Sequence, residues 1–380
     1  MNRLRQKIEH EIREQGPIPF SRYMELCLYD PEFGYYSRNV EQFGRAGDFY
    51  TSSDVHAVFG RLLARQFDEM WRALASPEHI KLVELGPGRG LFAQDVLDWS
   101  EKKFPDFFRA LRYVLVESSP VLRARIKQTL ARRLESGKAE LTALYPLDEA
   151  SATSPIIVFA NEFFDALPVE ILSAKGSLRI ETRDVRFIEA WAPASPDELE
   201  FLDRYSMHPE PNERIEAPLA AQHFMDRVAA SIRSGFLIAV DYGQTREEQL
   251  AGRHRGTLKA IRQHSVSANP YEAPGEQDIT ADVNFTALAA AAEKRGMQPH
   301  RLVTQSQFLM GIGEVNQFAD AFEECRLPQE RAKVALQLKH LVTPAGMGES
   351  FHVLVASKGI KLERLESLSG LSFGRRPIAH

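Results

Sequence analysis

Cysteine is scarce in this chain. Cys27 and Cys325 lie far apart, and neither belongs to a C-x-x-C pair or a His/Cys cluster. That excludes a disulfide framework and a finger-type zinc site, and points to a reducing compartment. Long apolar runs are missing as well. No window approaches the roughly 18 apolar residues of a membrane helix, so no membrane span is expected. Nor is there a strong excess of one charge: the formal charge is −5 and the sequence pI about 6.2. Nothing in that balance favours nucleic acid or an anionic membrane surface as a general partner. Internal repeats and low-complexity tracts are absent. Met1 to Gln15 lacks the apolar core of a signal peptide, and Glu9, Glu11 and Glu14 argue against a transit peptide. A cytoplasmic location is the expectation.

What remains is an ordinary globular composition, 380 residues with 44% hydrophobic and 26% charged, enough for one large domain or two. The organising stretch runs from Lys81 to Leu91. Leu82, Val83 and Leu85 read as a buried strand, Gly86-Pro87-Gly88-Arg89-Gly90 as a turn, and Leu91 onward as a helix with Phe92, Val96 and Leu97 on its apolar face. The alternating glycines depart from the dinucleotide fingerprint, and the Gly-Lys-Ser/Thr of a phosphate loop is missing. Such a turn lets the backbone approach a ligand closely, and Glu84 just before it can meet a cationic or hydroxylated group. Adenosylmethionine suits these features better than a pyrophosphate does. A packing-only turn is the plainer alternative.

The rest of the chain extends an α/β pattern. Tyr113 to Val116 reads as a second strand, ending in Glu117, whose two oxygens match a ribose diol. The competing role for Glu117 is a charge at the start of the helix opened by Ser119-Pro120. Ile156 to Ala160 is a further strand, and it runs into Asn161-Glu162-Phe163-Phe164-Asp165. Acids at the carboxyl end of a central strand suggest a cationic or hydrogen-bonding ligand, although a helix N-terminus would explain one of them. Val169 to Pro211 alternates apolar and polar residues around Lys175-Gly176-Ser177, predicting an antiparallel β insertion. Gly235 to Gly243 is another core strand. Gln244 to Gln277 reads as a long polar loop, acceptable at that length as an active-site cover. Phe318 to Leu341 reads as one helix. The tail from Lys358 has no clear periodicity.

The ordered set Glu84-Leu85-Gly86-Pro87-Gly88-Arg89-Gly90, Asn161 to Pro168, and Asp241-Tyr242-Gly243 resembles the MidA-like family. These are the bacterial and mitochondrial relatives of the respiratory complex I assembly methyltransferase. Pro31 to Tyr36, Gly47 to Ser52, Pro274 to Thr280 and Gly346 to Phe351 strengthen the resemblance, which spans about Ile18 to Ala356. It implies an α/β fold: a Rossmann-like class I methyltransferase sheet with helices on both faces, an N-terminal helical extension and a small β insertion. The expected division is an extension over 1–75, a core over 76–168 and 212–356, the insertion over 169–211 and a tail over 357–380.

By position, the resemblance implies S-adenosyl-L-methionine as cofactor. Gly86, Gly88 and Gly90 would line its methionine end with Glu84 orienting the turn, and Glu117 would hold the ribose. Asn161 and the loop bearing Gly47, Asp48, Phe49 and Thr51 would complete the cofactor site. Glu162 and Asp165 are the candidate catalytic residues, because a guanidinium is best oriented by carboxylates through paired charge-assisted hydrogen bonds. Phe163 and Phe164 offer a flat apolar wall, and Asp241 and His264 are secondary substrate-side candidates. The implied activity is methylation of an arginine in a protein, a complex I subunit or its bacterial counterpart, with a homodimer allowed. The alternatives are a small-molecule or other side-chain acceptor, and a donor-binding assembly chaperone without turnover.

Overall fold

The structure, a computed structural model, describes residues 2–38, 57–145, 154–184, 186–252, 256–262, 265–267, 269–365 and 367–373. A mixed sheet forms its centre. The seven strands along its main path are, in chain order, β1 (Ile80–Leu85), β2 (Leu111–Val116), β3 (Ala139–Thr142), β4 (Ile156–Asn161), β5 (Gly235–Gln244), β6 (Gln298–Pro299) and β7 (Phe351–Lys358). They lie in the order β3-β2-β1-β4-β5-β7-β6. Every pair from β3 to β5 is parallel, whereas β7 runs antiparallel to both β5 and β6.

Alternation along the central strands explains how both faces are covered. Leu82 of β1 and Phe159 of β4 point into one apolar layer; Val83, Leu85, Val158 and Ala160 point into the other. Strands buried on both faces read as continuous apolar runs, as these do. The first layer is closed by helices Ala57–Ala73, Leu91–Lys103 and Gln305–Glu314, the second by Leu219–Ser231 and Phe285–Lys294. Phe92 stacks on Phe159 at 4.6 Å between centroids, and Phe67 meets the same ring edge-on at 5.6 Å. This triad ties the first helix after the glycine turn to β4.

The chain leaves β1 toward β2 and β3, then returns to the other side of β1 with β4. A crevice opens outside the carboxyl ends of strands at such a reversal. Register brings the two ends level: Leu85 pairs with Ala160, and Asn161 with Val240.

A second sheet carries the insertion. Its strands Glu170–Ser173, Gly176–Arg183 and Arg186–Ala192 are joined by Ile18–Pro19 from the N-terminal extension and by Ile215–Ala217. Leu4, Ile8 and Ile12 from the first helix share one apolar cluster with Leu178 and Ile180. The extension therefore packs against the insertion as well as the core.

Three local readings change. The stretch from Gln244 to Gln277 is not structureless: it contains helix Arg246–Leu250 and strands Lys259–Arg262 and Ser265–Ser267, which form a three-stranded sheet with Asp278–Thr280. Strands this short leave too little alternation to read. The helix expected over Phe318 to Leu341 is broken into Ala319–Phe322 and Pro328–Val342, because Pro328 starts a helix rather than continuing one. The tail is anchored: Glu69 accepts from the Ser369 N–H and hydroxyl at 2.9 and 2.8 Å, and Gln66 accepts from the Gly370 N–H at 2.8 Å. Leu368 is fully buried. No helix among the described residues is long and apolar enough to cross a membrane.

Candidate donor and acceptor site

A cavity of about 890 Å³ lies at the carboxyl ends of β1, β2, β4 and β5. This is near the upper end of the roughly 300–1,000 Å³ typical of ligand pockets. Its walls differ from one end to the other.

At one end the chain turns sharply out of β1. Gly86, with φ +64°, lines the cavity, and a Cβ there would come to 3.0 Å from the Phe163 ring. Both the left-handed backbone and the close approach of the ring call for glycine. Gly88 also lines the cavity. Gly90 does not line the cavity, and a Cβ there would meet Leu130 at 3.4 Å and Ile126 at 3.5 Å, so the structure places the third glycine against the next helix. Glu84 is buried and accepts a 2.8 Å hydrogen bond from the Tyr113 hydroxyl. Burial pushes its carboxyl up to about 8, against the Tyr113 bond and helped by the charge of Glu117. Glu117, just past β2, accepts from the Ser119 N–H at 2.8 Å. Burial raises it to about 7, the Ser119 and Ser118 N–H groups opposing the shift. It therefore both fixes the next helix and lines the cavity.

The far end is built at the exit of β4. Glu162 takes φ +50°, a strained choice for a residue with a side chain. Its N–H donates to Val240 O at 2.9 Å, and its Oε1 accepts from Asn161 Nδ2 at 3.0 Å. The turn that follows is clamped from below. Asp241 Oδ2 accepts from the N–H groups of Phe163, Phe164 and Asp165 at 3.2, 3.0 and 3.3 Å, and its Oδ1 accepts from the Tyr242 N–H at 3.0 Å. Asp241 is 1% exposed and does not line the cavity. Its expected place beside the substrate is corrected to support of the Glu162–Asp165 turn.

Phe164 is corrected in the same way. It is buried against Phe224 in the core layer, while Phe163 alone of the two faces the cavity. Both rings pack on Phe224, with centroids 5.1 Å away for Phe163 and 6.3 Å for Phe164, but Phe163 is only partly buried there and also reaches the cavity. Asp165 does reach the cavity, and burial raises its carboxyl to about 6, with the Tyr242 hydroxyl and the Ala166 N–H opposing. Its Oδ1 accepts no hydrogen bond among the described residues. Gly47, Asp48, Phe49, Thr51 and His264 lie outside the described residues.

Several cavity residues were not singled out from sequence. Tyr29 and Tyr36 come from the N-terminal extension and stack with centroids 5.5 Å apart. Tyr29 donates to Ala166 O at 2.8 Å, and Tyr36 to Asp278 Oδ1 at 3.1 Å. Ser119 in turn donates to Tyr36 O at 2.6 Å, linking this pair to the Glu117 side. Tyr242, Lys259, Asp278 and Asp282 complete the wall. Asp278 and Thr280 flank the buried Ile279, a polar-apolar-polar signal too short to stand out.

The first end fits the cofactor that the resemblance implies. Asn161 Oδ1 is buried without a hydrogen bond among the described residues, Gly86 leaves room that a Cβ would fill, and Glu117 offers two acceptor oxygens. A ligand with an amino-acid tail and a ribose satisfies all three.

Comparison with known proteins agrees. The model of a family described as "Putative S-adenosyl-L-methionine-dependent methyltransferase" matches residues 62–303. The Drosophila melanogaster "Protein arginine methyltransferase NDUFAF7 homolog, mitochondrial" is 30% identical, over 97% of this chain and 88% of its own. The Xenopus tropicalis "Protein arginine methyltransferase NDUFAF7, mitochondrial" is also 30% identical, over 82% of this chain and 76% of its own. A Burkholderia thailandensis crystal structure with S-adenosyl-homocysteine bound superposes with a TM-score of 0.81 at 29% identity, covering 94% of this chain and 92% of the other. The chain is an S-adenosylmethionine-dependent methyltransferase and belongs to the MidA-like family.

Proposed function

We propose that the chain transfers methyl groups to an arginine side chain of a protein, and that the protein is a respiratory complex I subunit or its bacterial counterpart. The observation that carries this reading is the far end of the cavity. There Glu162, Asp165, Asp278 and Asp282 line the same cavity as Tyr36 and Tyr242, with Tyr36 bonded to Asp278 and the Tyr242 hydroxyl to Asp165. Carboxylates beside flat aromatic faces suit a planar, delocalised cation. The relatives named above as protein arginine methyltransferases support the same reading.

Bound adenosylmethionine supplies an electrophilic methyl group on a sulfonium, which departs as a neutral thioether and needs no acid. The chain's own residues do the rest. Gly86, Gly88 and Glu117 hold the donor, and Asn161 meets it from the end of β4. Glu162 and Asp165 orient one guanidinium nitrogen toward the methyl group, and the clamp from Asp241 keeps both on one rigid turn. Transfer onto the cationic guanidinium leaves one proton to be lost. Asp165 Oδ1, without a hydrogen bond among the described residues and with its carboxyl raised by burial, is placed to take it.

The test is incubation of candidate complex I subunits with enzyme and isotope-labelled donor, followed by fragmentation mass spectrometry. The reading expects label on arginine. Label confined to small molecules would reject the protein acceptor, and donor binding without adenosylhomocysteine production would indicate a chaperone.

A further inference from the structure

The short sheet over the far end of the cavity has two distinct faces. In the antiparallel pairing, Lys259 lies opposite Thr280 and Ile261 opposite Asp278. These four line the cavity. Ala260 and Ile279, one residue out of phase, are each 1% exposed on the other face. Alternation therefore commits Lys259 to the acceptor end. There its ammonium sits 5.1 Å from the centroid of the Tyr242 ring and 3.5 Å from Asp282 Oδ1. The Lys259 side chain is 45% exposed, whereas Asp282 is 10% exposed. The carboxylate is largely buried, whereas the lysine reaches water.

Building on the arginine reading above, we propose that Lys259 is a built-in competitor for the acceptor's cation. The Tyr242 face and the Asp282 carboxylate form the cation subsite, Lys259 fills it in the resting enzyme, and an entering guanidinium displaces it. The exchange favours the guanidinium, which stacks flat on an aromatic face and meets a carboxylate through two donors, whereas an ammonium is a compact, strongly hydrated charge. An ammonium held at 3.5 Å on a half-exposed stem is easily released. Lys259 thereby sets the affinity for the acceptor and raises the threshold for weakly binding cations such as free amines.

The test titrates ethylguanidinium chloride, at fixed total chloride, into the adenosylhomocysteine-bound protein and follows binding by NMR. Lys259→Met removes the charge and keeps much of the stem; Lys259→Gln is a second, polar replacement. Both should bind ethylguanidinium about two- to fivefold more tightly than the unaltered chain. Asp282→Asn should bind it more weakly, and adding Lys259→Met to Asp282→Asn should restore little, because the two residues act on one subsite. Unchanged or weaker binding in both lysine variants, with adenosylhomocysteine affinity and melting temperature retained, would overturn the competitor role while leaving the arginine reading intact. No guanidinium binding by any of the proteins, the unaltered chain included, would overturn both.

Discussion

The two ends of the cavity are assembled in opposite ways. The donor end comes mainly from one continuous strand-turn-helix-strand unit, Glu84 through Glu117, whose parts are neighbours in sequence and paired in the sheet, with Asn161 added from the exit of β4. The acceptor end is collected from the N-terminal extension, the exit of β4, the end of β5 and the sheet formed by Lys259–Arg262 and Asp278–Thr280. The difference teaches where function resides in this fold. A ligand shared by many enzymes is bound by a local motif, whereas the partner molecule is met by a surface that only the topology brings together. Among the described residues the two ends are joined by Ser119 to Tyr36, by Asn161 to Glu162 and by the Phe163 ring beside Gly86. They should accordingly be separable by mutation.

The largest separation should come from Glu162→Gln. Removing one partner of a desolvated charge contact costs about 2–5 kcal/mol, so kcat/KM for methyl transfer should fall by roughly 30- to several thousand-fold. Adenosylhomocysteine affinity, read by calorimetry, should change little. A variant that keeps full turnover would remove Glu162 from the chemistry. Gly86→Val should do the reverse. The left-handed backbone and the 3.0 Å approach to Phe163 leave no place for a branched side chain, and donor affinity should drop about 10- to 100-fold, corresponding to about 1.4–2.7 kcal/mol. Donor affinity unchanged in that variant would contradict the tight turn.

The comparison also explains what was legible in the sequence. Glu84, Gly86, Gly88 and Glu117 could be found because strand, turn and helix periodicity converge within one short stretch. Glu162 and Asp165 were visible as acids beyond an apolar run. Tyr36, Lys259 and Asp282 were not, since each is an ordinary polar residue until the chain returns to the same cavity. Phe164 and Asp241 were misplaced for a related reason: at a tight turn, composition marks the neighbourhood but not which side chains face inward. The insertion hairpin showed its alternation plainly, whereas the three-residue strands over the site were too short to do so.

A pH difference should sharpen the contrast. Glu117 is raised from 4.5 to about 7 and Asp165 from 3.8 to about 6, both by burial. A ribose diol and a guanidinium each favour the charged carboxylate. Donor affinity should therefore weaken as pH falls below about 7, and acceptor affinity as it falls below about 6, each by up to about tenfold per pH unit. Glu117→Gln should flatten only the donor profile. Identical breakpoints for the two ligands would contradict the assignment. For folding the sign is reversed: Glu84, raised from 4.5 to about 8, binds its proton more tightly when folded, so its contribution to stability declines as pH rises through that window.

The smallest effect is expected from Tyr36→Phe, which removes only the hydroxyl bond to Asp278. A loss of about 1 kcal/mol would raise the acceptor KM about fivefold and leave donor affinity unchanged. An equal loss in both ligands would show that the extension braces the whole cavity instead of the acceptor end alone.

The central claim is that the acceptor end recognises a cationic guanidinium. It is tested most directly by comparing an arginine peptide from a methylated substrate with its citrulline counterpart, the neutral near-isostere, as competing ligands in the methyl-transfer assay. The account predicts that the arginine peptide is methylated and that the citrulline peptide neither accepts methyl groups nor inhibits at comparable concentration. Equal inhibition by the citrulline peptide would contradict it.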